Sequence, residues 1–218
     1  MPAQSIAAPA AGFDKTPSGH HGGAAPMLLP GFEDPVHAAQ RTFRAALDAI
    51  SHPGSIGVLA EACGVPDGLS PALSALLLTL VDGDTPLWLP PQTPDGVRAF
   101  LRFHCGCPLV AEVGQAAFVA VPAGHAVPEL AACAQGDPAY PDRSATLLLE
   151  VVSLTGGPAV TLRGPGIESR ATLAAQGLPA GFWPQWHANH ARFPLGVDVL
   201  LTSGDSLCAL PRTTQVED

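Results

Sequence analysis

The chain has 218 residues and a formal net charge of -9, with 47% hydrophobic but only 13% charged residues. The hydrophobic share is ordinary and is large enough for a folded core, whereas the charged share is about half of the usual 25%. Because surface that is neither charged nor buried tends to be covered, this composition favours an oligomer or a subunit. The excess of acidic residues leaves no broad positive surface, which excludes sequence-independent binding of nucleic acid.

The N-terminus does not have the pattern of a signal peptide, because no cationic cluster precedes a continuous apolar stretch. The longest apolar run, 72–81, is shorter than the roughly 20 residues of a membrane-spanning helix. We therefore expect a soluble cytoplasmic protein that has no membrane partner. An odd number of unevenly spaced cysteines is typical of reduced thiols rather than of a disulfide framework: they are Cys63, Cys105, Cys107, Cys133 and Cys208.

Residues 1–27 are mostly Ala, Gly, Pro and Ser, so we expect a flexible tail there and a single α/β domain over 28–218. Within that domain Asp34-Pro35 predicts the start of a helix, since an N-cap acceptor precedes proline at the first helical position. Pro53-Gly54 predicts its end. Apolar residues at three- and four-residue steps predict its buried face: they are Val36, Ala39, Phe43, Leu47 and Ile50.

The remaining elements alternate along the chain. Ser70-Pro71 repeats the helix-start signal, and short apolar or β-branched runs bounded by Gly and Pro are typical of strands. Further helices are expected over 71–81, 94–103, 127–133, 169–176 and 184–192, and strands over 87–89, 118–121, 146–152, 159–163, 197–202 and 207–210. The last two strands form a hairpin, so the sequence predicts an α/β fold with a mixed sheet between two helical layers.

Lysine usage excludes two kinds of site. Lys15 is the only lysine, and it lies in the predicted tail. A pyridoxal-phosphate (PLP) enzyme needs a buried lysine amine, and a Walker-type phosphate loop needs a lysine beside its glycines. We therefore expect neither cofactor chemistry of the first kind nor a nucleotide loop of the second.

Two segments could bind an anion. Arg163-Gly164-Pro165-Gly166 follows a predicted strand and precedes Ser169, a candidate N-cap of the next helix, so backbone amides and a helix N-terminus would point at a bound anion. The alternative is a tight turn. Arg212-Thr213-Thr214 offers a guanidinium fork and two hydroxyls for a phosphate or phosphonate. The alternative there is a C-terminal arm that docks on a partner.

His187 and His190 lie three residues apart on one predicted helix, beside aromatic residues. They could form a polar pocket wall, or pack as an aromatic-histidine ridge. A metal hydrolase using both is a further alternative, but the four-residue spacing and the glutamate of the H-E-x-x-H motif are missing. Residues 104–107, His-Cys-Gly-Cys, have no second knuckle, so no metal site is expected there. No nucleophile motif is present either, and we name no catalytic residue.

Several long motifs, in order from residue 30 to the end, resemble the PhnH family, whose members belong to the core complex of the carbon-phosphorus (C-P) lyase system. They are 30–36, 43–44, 53–54, 85–89, 102–104 with 106–108, 144–150, 161–166, 193–198 and 210–214. Cys105 departs from the threonine of the family pattern, and the tail before residue 28 is peculiar to this chain.

The resemblance implies a cytoplasmic subunit with a three-layer α/β/α fold similar to the large domain of PLP-dependent transferases, but without that cofactor. It implies a homodimer alone and a complex with subunits G, I and J. With subunits G, I and L, the family member contributes to transfer of the ribose 5-triphosphate of ATP to a phosphonate, with release of adenine. A non-catalytic scaffold for the complex is the alternative. The anion-binding segments would then hold a phosphonate or the phosphates of ATP.

Overall fold

The computed structural model describes residues 28–59 and 61–217, so the predicted tail over 1–27 lies outside the described residues. Asp34 caps the first helix by accepting a 3.3 Å hydrogen bond from the His37 amide, and Ser70 caps the second by accepting one of 3.3 Å from the Leu73 amide. The helices and strands are α1 (Pro35–Ser51), β1 (Gly57–Val58), α2 (Pro71–Leu80), β2 (Leu87–Trp88), α3 (Asp95–His104), β3 (Phe118–Val121), β4 (Thr146–Glu150), β5 (Val160–Arg163), β6 (Ala171–Leu173), α4 (Phe182–His190), β7 (Asp198–Ser203), β8 (Ser206–Leu210) and β9 (Gln215–Glu217). Three short 3-10 helices span Val113–Gln115, Leu130–Ala132 and Pro141–Arg143.

The predicted mixed sheet is confirmed. Six strands lie in the order β1-β8-β7-β4-β3-β2, in which β2, β3, β4 and β7 are parallel, β8 is antiparallel to them, and β1 pairs antiparallel with β8. The predicted hairpin joins β7 to β8. The carboxyl ends of the parallel strands therefore share one edge of the sheet, where Glu150 of β4 lies beside Thr202 of β7.

Successive side chains of a strand point to opposite faces of the sheet, and here the two faces pack into two separate hydrophobic cores. Ala120, Leu148 and Leu200 face the core that α1, α2 and α3 cover. Val119, Leu147 and Val199 face the opposite core. That second core is closed by α4 together with a three-stranded antiparallel sheet in the order β6-β5-β9.

Two helices predicted from the sequence are not present as such in the second outer layer. The helix over 169–176 is wrong, because Ala171–Leu173 forms β6 and pairs with β5. The helix over 127–133 is reduced to one 3-10 turn at Leu130–Ala132. In the first case pairing with a neighbouring strand overrides the helix preference of an alanine-rich segment.

The buried face of α1 is also different from the prediction. The predicted residues Val36, Phe43 and Leu47 are exposed by 75%, 47% and 47%. The face that is buried carries small side chains, which allow α1 to lie close to α2 and β8: they are Ala38, Thr42, Ala46 and Ala49.

All five cysteines are free thiols, as predicted. Among the helices of residues 28–59 and 61–217, none is long and apolar enough to cross a membrane.

Candidate functional site

The predicted site residues gather around the last strand of the small sheet. We call residues 211–217 the C-terminal arm; it includes β9, which pairs with β5 so that Arg163 lies opposite Gln215. Seven of the eight predicted residues lie on this arm or against it, and Gly166 lies against the end of α1 instead. The eight are Arg163, Gly164, Gly166, His187, His190, Arg212, Thr213 and Thr214.

Three aromatic ring nitrogens of α4 hold the arm by its carbonyl groups. Trp186 Nε1 donates to the Thr214 oxygen at 3.0 Å, His187 Nε2 lies 3.0 Å from the Val216 oxygen, and His190 Nδ1 lies 2.9 Å from the Arg212 oxygen. A carbonyl oxygen only accepts, so His187 carries its hydrogen on Nε2 and His190 on Nδ1. This geometry favours the aromatic-histidine ridge over an open pocket wall.

Arg212 is the most heavily engaged of the predicted cations. Its Nε lies 3.1 and 3.2 Å from the two carboxylate oxygens of Asp198, and its backbone amide donates to Asp198 at 2.7 Å. Its Nη1 donates to the Pro141 oxygen at 3.0 Å. The Arg212 side chain is only 14% exposed, so an incoming anion would have to compete with a carboxylate that is already in place.

The turn after β5 is built by close packing. A Cβ on Gly164, whose φ is +138°, would lie 3.0 Å from the Thr213 oxygen. The Ile167 amide closes the turn by donating to the Gly164 oxygen at 3.2 Å. No helix follows at Ser169, since the next element is β6, so the helix N-terminus that the anion hypothesis included is absent from this turn.

Arg163 is the accessible cation of this group. Its Nε lies 2.8 Å from Glu217 Oε1 without hydrogen-bond alignment, and the two side chains are 40% and 47% exposed. An exposed ion pair of this kind contributes about 0–1 kcal/mol, so its guanidinium can exchange one anion for another at little cost.

Sequence reasoning missed two residues of the site. Asp198 closes the 193–198 motif and Trp186 precedes His187, but neither was recognised as a partner of the arm. The available signals were an acidic residue at the start of an apolar strand and a third ring donor in the same helical turn.

A second polar group lies at the carboxyl ends of the parallel strands. Glu150 ends the apolar run of β4 and accepts a 3.3 Å hydrogen bond from the amide of Ser70, the N-cap of α2. Burial raises the pKa of the Glu150 carboxyl, and the hydrogen bonds from Ser70 oppose that rise. Its neighbour Thr202 is fully buried, and within the described ranges its hydroxyl has no hydrogen-bond partner.

Glu150→Gln is expected to raise the melting temperature at pH 7 and to change it less at pH 4. The folded state binds the Glu150 proton more tightly than the unfolded chain does, so stability falls as pH rises above the ordinary pKa of 4.5. The glutamine side chain does not ionise, so the variant avoids this loss of stability at high pH. Thermal unfolding of both chains at the two pH values measures the effect, with the exposed Glu168→Gln as control. An equal gain at both pH values would contradict the burial of an ionised carboxyl.

Metal chemistry has no donor set in the described part of the chain. No group of three His, Cys, Asp or Glu side chains lies close enough to hold an ion there. The metal hydrolase alternative for His187 and His190 is therefore not supported, since both rings are bonded to the arm.

Comparisons with known proteins agree with the motifs. The model of the family described as bacterial phosphonate metabolism protein (PhnH) matches residues 30–217. A protein of Rhizobium meliloti (strain 1021) named alpha-D-ribose 1-methylphosphonate 5-triphosphate synthase subunit PhnH is 41% identical over 187 residues, which are 85% of this chain and 94% of that protein. HtxG of Stutzerimonas stutzeri, provisionally named as a C-P lyase subunit protein, is 34% identical over 81% of this chain and 85% of its own length. A match over almost the whole described chain shows that it belongs to the PhnH family.

Proposed function

We propose that the chain is a subunit of a C-P lyase system and takes part in the breakdown of phosphonates. In the proposed step a phosphonate oxygen forms a bond to the anomeric carbon of ATP, the bond from that carbon to adenine breaks, and ribose 1-phosphonate 5-triphosphate forms. The observation that carries this proposal is the 41% identity, over 85% of this chain, to a protein named as a subunit of that synthase.

Within this step we assign the C-terminal arm and the turn beside it to anion binding. Displacement of adenine needs a neutralised triphosphate and a stabilised, positively charged sugar centre. Arg163 and the Gly164 to Gly166 turn supply the exposed cation and backbone. Arg212, Thr213 and Thr214 hold the arm in place beside them, and His187 and His190 brace it from α4.

The proposed setting follows the same family. The chain is a homodimer alone, joins subunits G, I and J in the cytoplasm, and needs subunits G, I and L for the transfer step. Its fold is proposed to be similar to the large domain of PLP-dependent transferases. We propose no cofactor for it, and PLP in particular would need a lysine amine, whereas its only lysine, Lys15, lies outside the described residues.

A scaffold role is the second candidate, and one observation favours it. The Arg212 guanidinium and the ring donors of Trp186, His187 and His190 are all used within the chain. Side chains that are satisfied internally stabilise a surface for partners without contributing to chemistry.

Reconstitution of the transfer reaction from ATP and methylphosphonate with subunits G, I and L separates the two roles. Omission of the chain is expected to abolish product. Arg163→Ala is expected to lower kcat/KM for ATP at least about tenfold with assembly unchanged, because a charge-assisted contact to phosphate is lost. The exposed Arg170→Ala is the matched control. Full activity of Arg163→Ala would support the scaffold, and full activity without the chain would overturn both roles.

A further inference from the structure

The outer side of α1 carries an apolar stripe with no partner in residues 28–59 and 61–217. The relative exposures are 75% for Val36, 47% for Phe43, 47% for Leu47 and 37% for Ile50. These residues recur at helical spacing, so they form one continuous surface along the helix. We call them the α1 stripe.

The α1 stripe lies near the open edge of the large sheet. The opposite flank of α1 holds Arg41, whose Nε lies 2.5 Å from Glu61 in the segment that leads to α2. α1 packs against α2 and also over β8 and β1, the last two strands at one end of the sheet, so the stripe lies at that end of the sheet. Among the described residues β1 pairs only with β8, so its outer edge is unpaired. Ile56 and Val58, at that edge, are 46% and 61% exposed.

Together the stripe and this edge form a large apolar surface. At roughly 150–200 Å² for a fully exposed large apolar side chain, these exposures amount to about 500 Å² of apolar area. That area is more than half of the roughly 800 Å² that each partner buries in a stable interface. A surface of this size at an unpaired strand edge is normally covered.

Charge favours a second copy as the partner. The chain carries a net charge of -9, but the segment from α1 to β1 contains only one acidic residue, Asp48, and two arginines. Arg41 is already paired with Glu61. Two acidic copies can therefore approach through this face with less like-charge repulsion than through the rest of their surface.

We propose that this face binds the same face of a second copy across a twofold axis, with the two α1 helices antiparallel and the two β1 edges adjacent. Such an isologous contact is self-complementary, because each stripe meets its own copy in reverse. The inference rests on the homodimer proposed above, and it names the surface that forms it.

Light scattering coupled to gel filtration, and sedimentation over a concentration series, test the proposal on the purified full chain. The wild-type chain is expected to be a dimer. Phe43→Glu is expected to raise the dimer dissociation constant at least about a hundredfold, because the twofold axis places two buried carboxylates in one contact. Val36→Glu, at the most exposed position of the stripe, gives the same result if the first variant folds poorly.

Phe103→Glu is the matched control, since Phe103 is a 67% exposed phenylalanine on α3. It is expected to leave the dimer unchanged, and circular dichroism checks the fold of each variant. A monomeric wild-type chain, or folded stripe variants that stay dimeric, would overturn the proposal. A stripe change that only weakens binding to subunits G, I or J would also overturn it, by assigning the face to another partner. The transfer assay is read separately, so the role in phosphonate breakdown stands or falls independently of the dimer face.

Discussion

Trp186→Ala is expected to lower the free energy of unfolding by about 3–5 kcal/mol. Trp186 is fully buried on α4, its ring stacks on Phe182 with 6.3 Å between centroids, and its Nε1 donates to the Thr214 oxygen at 3.0 Å. The substitution leaves a large cavity in the second core and a buried carbonyl without its donor, and the expected loss covers both effects together. Urea unfolding of the two chains measures the difference.

Trp186→Phe keeps an aromatic ring at this position but removes the Nε1 donor, so it tests the hydrogen bond to the arm apart from the packing of the ring. It keeps most of the apolar volume, so it is expected to cost about 1–3 kcal/mol, the cost of an unsatisfied buried group. Amide hydrogen exchange in the C-terminal arm should accelerate in this variant. Trp183→Ala, at a half-buried position of the same helix, is the control and should leave exchange in the arm unchanged. An arm that stays equally protected in Trp186→Phe would show that Nε1 does not hold it.

The starts of the helices could be predicted because they depend on residues close in sequence. Asp34-Pro35 and Ser70-Pro71 each place an acceptor three residues before the amide that it caps, and both bonds form. The central strands β3, β4 and β7 were also predictable, because burial on both faces requires continuous apolar runs.

The faces of elements were less predictable, because periodicity locates an apolar surface without saying what covers it. In α1 the largest apolar side chains form the exposed stripe, whereas Ala46 and Ala49 pack inward. In residues 169–176 an alanine-rich composition indicated a helix, but alternate burial of Leu173 and Ala175 suits the strand that pairs with β5. In both cases tertiary contacts that are distant in sequence decide the outcome.

The residues of the candidate site were predictable as a group, but their partners were not. Arg163, His187 and Arg212 are separate in sequence and meet through the C-terminal arm. That Asp198 would occupy the Arg212 guanidinium depends on the course of the arm just beyond the β7–β8 hairpin, in which Val199 lies opposite Leu210. Anion binding by Arg163 and Arg212 accordingly stays a prediction. Of the two side chains, Arg163 is the more exposed and is held by fewer contacts within the chain.

Gly166→Ala is expected to destabilise the chain by about 2–5 kcal/mol, because it combines backbone strain with a steric clash. Gly166 has a φ of +82°, where an L side chain costs about 1–2 kcal/mol. Its Cβ would lie 2.0 Å from the oxygen of Ser51 and 3.0 Å from Cδ of Pro53, and backbone at the end of α1 cannot yield cheaply. Urea unfolding measures the loss.

Gly124→Ala is the matched control, since Gly124 has nearly the same φ, +80°, but a Cβ there meets nothing within 4 Å. It should therefore lose only the cost of the strained backbone, about 1–2 kcal/mol. The difference between the two variants measures how tightly the turn after β5 is packed against the end of α1. Equal losses would mean that this contact is loose, and the glycines at 164 and 166 would then be better explained by close approach of an anion to the backbone than by the packing of the turn.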